Sequence, residues 1–349
     1  MEKDTKVKNL ADFNPNFNGI EANGLFGLPF EEQDATLVLI PVPWEVTVSF
    51  KAGTANTPTH ILEASQQIDL YHSRYTQAWR KGIYMLPENP STSEKNKRLR
   101  PKAVEVISAL EEGKEVRNAH YQNLYTTIND GCTEMVEEVY RMAQKLLHSG
   151  KKVGLLGGDH STPLGILKAM SQKYDAFGIL QIDAHLDLRI AYEGFTYSHA
   201  SIMHHALEMP QVKKLVSVGI RDFCDDEAQR VKDSSERITV FEDEALRFQQ
   251  FEGVKFATQA AAIINQLPDK VYVTVDIDGL SPDLCPQTGT PVPGGLSFQE
   301  LKYLLWMLKK SGKEIIGFDL CESSGTSADD INANTAMRIL YELCCMHLA

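Results

Sequence analysis

From about residue 130 onward, short apolar runs alternate with stretches of helical periodicity. Residues 153–156, 177–182, 215–218, 271–275 and 315–318 read as buried strands. Residues 132–148, 163–173, 199–208, 257–266, 298–310 and 328–347 carry apolar side chains three and four apart and read as helices. This alternation predicts βαβ units around a mostly parallel sheet, an α/β fold of three αβα layers. Upstream, residues 36–40 read as a buried strand ending at Pro41, and Pro43 argues against its extension as a central strand. Residues 86–101, with their Pro, Asn, Ser, Lys and Arg, read as a surface loop. Residues 1–33 are polar and rich in Asn, Gly and Pro, which predicts an extension outside the core and leaves 34–349 as a single domain.

Composition narrows the function classes. A net charge of -12 argues against nucleic acid and anionic membranes as partners. No apolar run approaches the roughly 20 residues that span a bilayer, and the polar start lacks the apolar core of a signal peptide. The 6 cysteines form no C-x-x-C pair and no disulfide framework, so reduced thiols and a cytoplasmic location are expected.

The polar residues at the strand ends carry the chemistry. Gly157-Gly158-Asp159-His160, Asp183-Ala184-His185-Leu186-Asp187, Asp276-Ile277-Asp278 and Asp319-Leu320-Cys321-Glu322 each come at the end of a strand. That edge of an α/β sheet is where ligands bind. One Asp after a strand is commonly a helix cap, and Asp159 can be that or a supporting partner. Four such clusters at one edge would repel unless a cation lay among them. Asp183, His185 and Asp187 lie two apart, as do Asp276 and Asp278, so an extended backbone points each set one way. The first run is not an EF-hand loop, because Leu188 and Gly194 stand where Gly and Glu are required.

His160, Asp183, His185, Asp187, Asp276 and Asp278 are therefore the candidate ligands. Six donors exceed the needs of one ion and suit two that share carboxylates. Oxygen-rich ligation with some nitrogen suits Mn²⁺, with Fe, Co or Ni²⁺ also compatible. Such a pair, about 3.5–4 Å apart, activates water for hydrolysis.

At these positions the chain resembles the ureohydrolases: arginase, agmatinase, guanidinobutyrase, formimidoylglutamase and guanidine hydrolase. The resemblance rests on GGDHS (157–161), DAHLD (183–187), DIDGLSP (276–282), TGTPVPGGLS (288–297) and FDLCES (318–323), with a weaker match in 51–65. It implies the arginase/deacetylase-like fold, a homotrimer or homohexamer, and a two-metal hydrolase that cuts a guanidino C–N bond. One ion would take His160, Asp183, Asp187 and Asp276. The other would take Asp183, His185, Asp276 and Asp278. Glu322 matches the acid that grips the guanidinium, and His199 the histidine that shuttles protons.

The departures bear on substrate. Ala200 stands where Gly is common, and Arg189 stands where arginases carry the Asn that reads an α-amino acid end. Arg suits a carboxylate, which keeps formimidoylglutamate and guanidino acids as alternatives; an internal ion pair for Arg189 is equally open. Residues 188–201 and 41–47 most resemble the agmatinase-like branch that includes guanidine hydrolases. Trp44, Tyr197 and Ala200 are expected to narrow the mouth, favouring a compact guanidino substrate such as guanidine or an agmatine-like amine. A metal-binding but inactive scaffold is the alternative from another class, and the presence of His199 and Glu322 argues for the enzyme.

Overall fold

Eight strands form one sheet: β1 (Leu37–Val42), β2 (Ile83–Met85), β3 (Lys152–Gly157), β4 (Phe177–Ile182), β5 (Val212–Ile220), β6 (Ile238–Glu242), β7 (Lys270–Asp276) and β8 (Glu314–Cys321). Their order across the sheet is β2-β1-β3-β8-β7-β4-β5-β6. Every pairing is parallel. This computed structural model describes residues 10–16, 24–325 and 330–349.

The helices are α1 (Thr57–Ala64), α2 (Pro90–Glu111), α3 (Ala119–His148), α4 (Leu164–Lys173), α5 (Ile202–Leu207), α6 (Asp225–Asp233), α7 (Asp243–Phe251), α8 (Phe256–Asn265), α9 (Phe298–Lys310) and α10 (Ile331–Leu348). α3 packs on α2 and α4, and α10 on α1 and α9, which gives the helical layers of the sandwich. The central strands β3, β4, β7 and β8 are almost wholly buried and read as apolar runs for that reason. Among the described residues, no helix is long and apolar enough to cross a membrane.

Three expectations change. Residues 86–101 are not a loop: α2 starts at Pro90, with the Asn89 side chain accepting the Ser91 N–H. Its buried face runs Thr92, Asn96, Leu99, Ala103, Val106, a helical spacing whose first two members are polar. Pro101 is tolerated on the exposed side of the helix. Second, β1 continues through Pro41 to Val42. Leu39 accepts from Leu86 on the β2 side and Val42 from Gly158 on the β3 side. By alternation, Pro41 faces the β2 side just where β2 has ended, so its missing N–H breaks no ladder. Third, the stretch before the domain is not all outside the core: Leu25, Phe26, Leu28 and Phe30 are buried in it. The last helix begins at Ile331, capped by Asp330, which accepts the Ala333 N–H; 328 and 329 lie outside the described residues.

Candidate metal centre and active-site pocket

β3, β8, β7 and β4 are consecutive neighbours in the sheet. The four polar clusters at their carboxyl ends therefore converge on one place. His160 Nδ1 lies 2.8 Å from Asp187 Oδ2, 3.1 Å from Asp183 Oδ2 and 3.5 Å from Asp276 Oδ2. His185 Nδ1 lies 3.1 Å from Asp278 Oδ2 and 3.6 Å from Asp183 Oδ1. The two oxygens of Asp183 thus face different imidazoles. Two donor groups result, His160–Asp183–Asp276 and Asp183–His185–Asp278, with the atoms of each within 4.8 Å of one another. All of these side chains are buried except His185, which is half-buried.

Their orientation is set by a second row of contacts. Gln181 Nε2 donates to Asp183 Oδ2 at 2.9 Å, and Ser217 donates to the Gln181 carbonyl oxygen at 2.6 Å. The Asp278 carboxylate accepts the Ala184 N–H, and that of Asp276 accepts the Asp278 N–H. On the far side of the imidazole, His160 Nε2 lies 2.8 Å from Thr274 Oγ1, whose hydroxyl donates to Asp319 at 2.8 Å. With its only proton given to Asp319, Thr274 accepts from Nε2–H, so Nδ1 is left to face the carboxylates. Asp187 and Glu322 both have left-handed backbones, φ 54° and 64°.

Charge makes the donor set fit cations. Burial, then the neighbouring Asp278 and Asp183, push Asp276 well above the usual carboxylate range. Burial and Asp183 push Asp187 up to about 7. Burial disfavours charge on His185, but Asp278 and Asp183 outweigh it and carry the imidazole to about 12. Asp276 and Asp187 are thus crowded by neighbouring negative charge, which a bound cation would relieve.

A cavity of about 270 Å³ opens onto this cluster, lined at its floor by His160, His185, Asp187, Asp276, His199 and Glu322. One oxygen of Glu322 accepts the His160 N–H at 2.8 Å. The other lies where a Cβ at position 289 would sit within 2.9 Å, so Gly289 leaves it room. Burial, then Asp159, raise the Glu322 pKa well above its ordinary value. Burial, with His185 and His160 nearby, holds His199 down at about 3, so its imidazole is neutral.

Residues 35–346 match the model of the arginase family. The chain belongs to the arginase family. It is 28% identical over 313 residues to the N(1)-aminopropylagmatine ureohydrolase of Synechocystis sp., covering 89% of this chain and 88% of that one. It is 30% identical over 301 residues to the agmatinase of Halalkalibacterium halodurans, covering 84% of each. Its fold matches that of proclavaminate amidino hydrolase from Streptomyces clavuligerus with a TM-score of 0.69 at 21% identity, covering 93% of this chain and 96% of that one. As an arginase-family ureohydrolase the chain hydrolyses a guanidino C–N bond with release of urea, in a family whose catalysis depends on a binuclear metal centre.

The wall of this ureohydrolase's pocket departs from expectation at two residues. Trp44 is fully buried and does not line the cavity. Its carbonyl accepts the Asp159 N–H at 2.8 Å, so the backbone meets the GGDH turn while the side chain is part of the core. Tyr197 lies in an outer groove, its ring edge-on to His205. Arg189 and Ala200 do line the cavity. The Arg189 side chain is 37% exposed, with Nε 3.8 Å from buried Glu227 and its guanidinium 4.9 Å above the Tyr192 ring. Tyr192 in turn stands edge-on to His199 at 5.9 Å. Asp159 caps no helix; its carboxylate accepts the Ser161 N–H within the turn.

Sequence reasoning missed Gln181, Thr274 and Tyr192. The first two had a signal, since each is a polar residue inside an apolar strand, fully buried. Tyr192 had none, because its place depends on the fold of the loop 188–198.

Proposed function

We propose that this ureohydrolase acts on a small guanidino compound that lacks an α-amino acid end, with two divalent cations, best suited to Mn²⁺, held by His160, Asp183, His185, Asp187, Asp276 and Asp278. The observation that carries the reading is Asp183, whose two oxygens face His160 and His185 separately. Bound there, the cations would supply Lewis acidity and an activated water.

The chain's own residues do the rest. Glu322 presents a buried carboxylate at the floor of the cavity, a charge match for a planar guanidinium. Neutral His199 takes a proton from the attacking water and returns it to the departing nitrogen. The pocket holds the guanidinium carbon in reach of that water, which lowers the entropic part of the barrier. Arg189 is already matched by Glu227 and Tyr192, so it calls for no carboxylate on the substrate.

Support for a cytoplasmic location comes from six free cysteines. We take 34–349 as the catalytic unit, with Leu25, Phe26, Leu28 and Phe30 packed into its core, and a homotrimer or homohexamer as its assembly, to be read by light scattering. The test of function is urea release from guanidine, agmatine, arginine and guanidino acids with the Mn²⁺-loaded protein. Guanidine or agmatine should lead. Faster release from arginine or from a guanidino acid would overturn the reading.

A further inference from the structure

Phe50 is 70% exposed, yet it lines the active-site cavity. The preceding Val46, Thr47 and Val48 are all buried, in the turn that leads to it. The loop turns Phe50 outward and is fastened on both sides of it. Arg100 donates to the carbonyl of Val46 at 3.1 Å and to that of Val48 at 2.5 Å. Asn96 accepts the Glu45 N–H, and the Glu45 carboxylate accepts the N–H groups of Gly53 and Ala55. Beyond the ring, the Lys51 N–H donates to Gly289. Phe223, half-buried, lines the same cavity from the loop after β5.

A phenyl ring held in water at the mouth of a polar cavity loses the burial that would stabilise it. That loss is recovered only when something apolar covers the ring. The floor needs nothing apolar: it is imidazole and carboxylate. The group that reaches from floor to mouth is the substituent on the guanidino nitrogen. Tyr192 on the remaining wall is already engaged by Arg189 and His199. The larger apolar side chains left on the cavity wall are Phe50, Phe223, Pro291 and Val292, and of these Phe50, with only Lys51 Nζ 5.8 Å from its ring centroid, is the most exposed.

We propose that Phe50, with Phe223, is a specificity-determining residue that grips a carbon chain on the substrate, so that N-alkylguanidines are bound in preference to free guanidine. The proposal rests on the ureohydrolase pocket described above and narrows its substrate class. The guanidinium lies at Glu322, and the chain runs outward between the two rings.

The test is calorimetric binding of n-butylguanidinium and of guanidinium to the Mn²⁺-loaded protein, wild type and Phe50→Ala. The wild type should bind butylguanidinium at least about tenfold more tightly, the scale on which apolar contacts discriminate methylenes. Phe50→Ala should lose most of that ratio, and Phe50→Leu should keep part of it. Phe50 is exposed, so the fold should survive, and a thermal melt checks that it does. Equal ratios in wild type and Phe50→Ala, or equal affinities for both ligands in wild type, would overturn the proposal. The proteins are all read on a His199→Ala background, in which turnover is slow, so the ratio judges the rings alone, whereas absence of urea release from the parent enzyme would refute the function proposed above.

Discussion

The backbone N–H of His160 donates to the carboxylate of Glu322 at 2.8 Å. The Glu322 N–H returns to the carbonyl of Gly158, also at 2.8 Å. The ends of β3 and β8 are thereby stitched together, and an acid that lines the cavity also holds the backbone of a candidate metal ligand.

Glu322→Gln keeps an oxygen to accept from His160 but gives up the charge. It should leave metal content near normal and lower kcat/KM roughly 10- to 100-fold, the scale of a hydrogen bond to a charged group. Glu322→Ala should lose metal as well. Elemental analysis beside steady-state kinetics separates the two, and equal metal loss in both would show that charge, not the stitch, holds the centre.

Asp183 is shared by the two donor groups. Asp183→Asn should therefore lose both ions, whereas Asp278→Asn should weaken one first. Metal-to-protein ratios after dialysis decide this. A single tightly held ion in Asp183→Asn would show that the groups are independent.

His199 belongs to neither donor group. His199→Ala should retain its metal and lose on the order of 10²-fold in turnover, as acid–base groups commonly do. The loss should fall on kcat more than KM. Unchanged turnover would remove His199 from the proton path.

Thr274 sets which nitrogen of His160 faces the carboxylates. Thr274→Val keeps the shape and removes the acceptor. Metal affinity should fall roughly 10- to 100-fold, the usual effect of losing a supporting contact to a ligand histidine. Competition with a chelator measures it, and wild-type affinity would show that the tautomer is fixed elsewhere.

Far from the site, Glu300 takes hydrogen bonds from Arg247 at 2.6 and 2.8 Å and from Ser297. Burial alone would raise its pKa, but Arg247 and Ser297 outweigh it and bring it to about 2 from 4.5. The folded value lies below the unfolded one, so the stabilisation is full above pH 4.5 and is lost as the pH falls towards about 2. Glu300→Gln should melt below the wild type at neutral pH, with the gap closing in that window. A gap independent of pH would assign the difference to packing.

The sequence disclosed most where physics is local. Asp183 and His185 could be paired on paper because alternation along an extended chain is fixed geometry. The four catalytic-edge strands announced themselves because burial on both faces makes a strand apolar throughout. α2 was hidden because Thr92 and Asn96 begin its inner face, and only the structure shows Asn96 accepting from Glu45. Trp44 misled for a related reason. Motif position located its backbone beside the site correctly, but which way a side chain points from a turn depends on the neighbours it packs against.

Asp187 and Glu322 are held with positive φ, at 54° and 64°, a conformation costing of the order of 1 kcal/mol or more for a residue with a Cβ. Glycine adopts it freely. A selection that rewards heat resistance alone would therefore be drawn to glycine at Asp187, at the expense of a carboxylate in the pocket, whereas at Glu322 glycine would also remove the hydrogen bond that joins β3 to β8. Any directed evolution of this scaffold must score product formation in the same round as thermal survival.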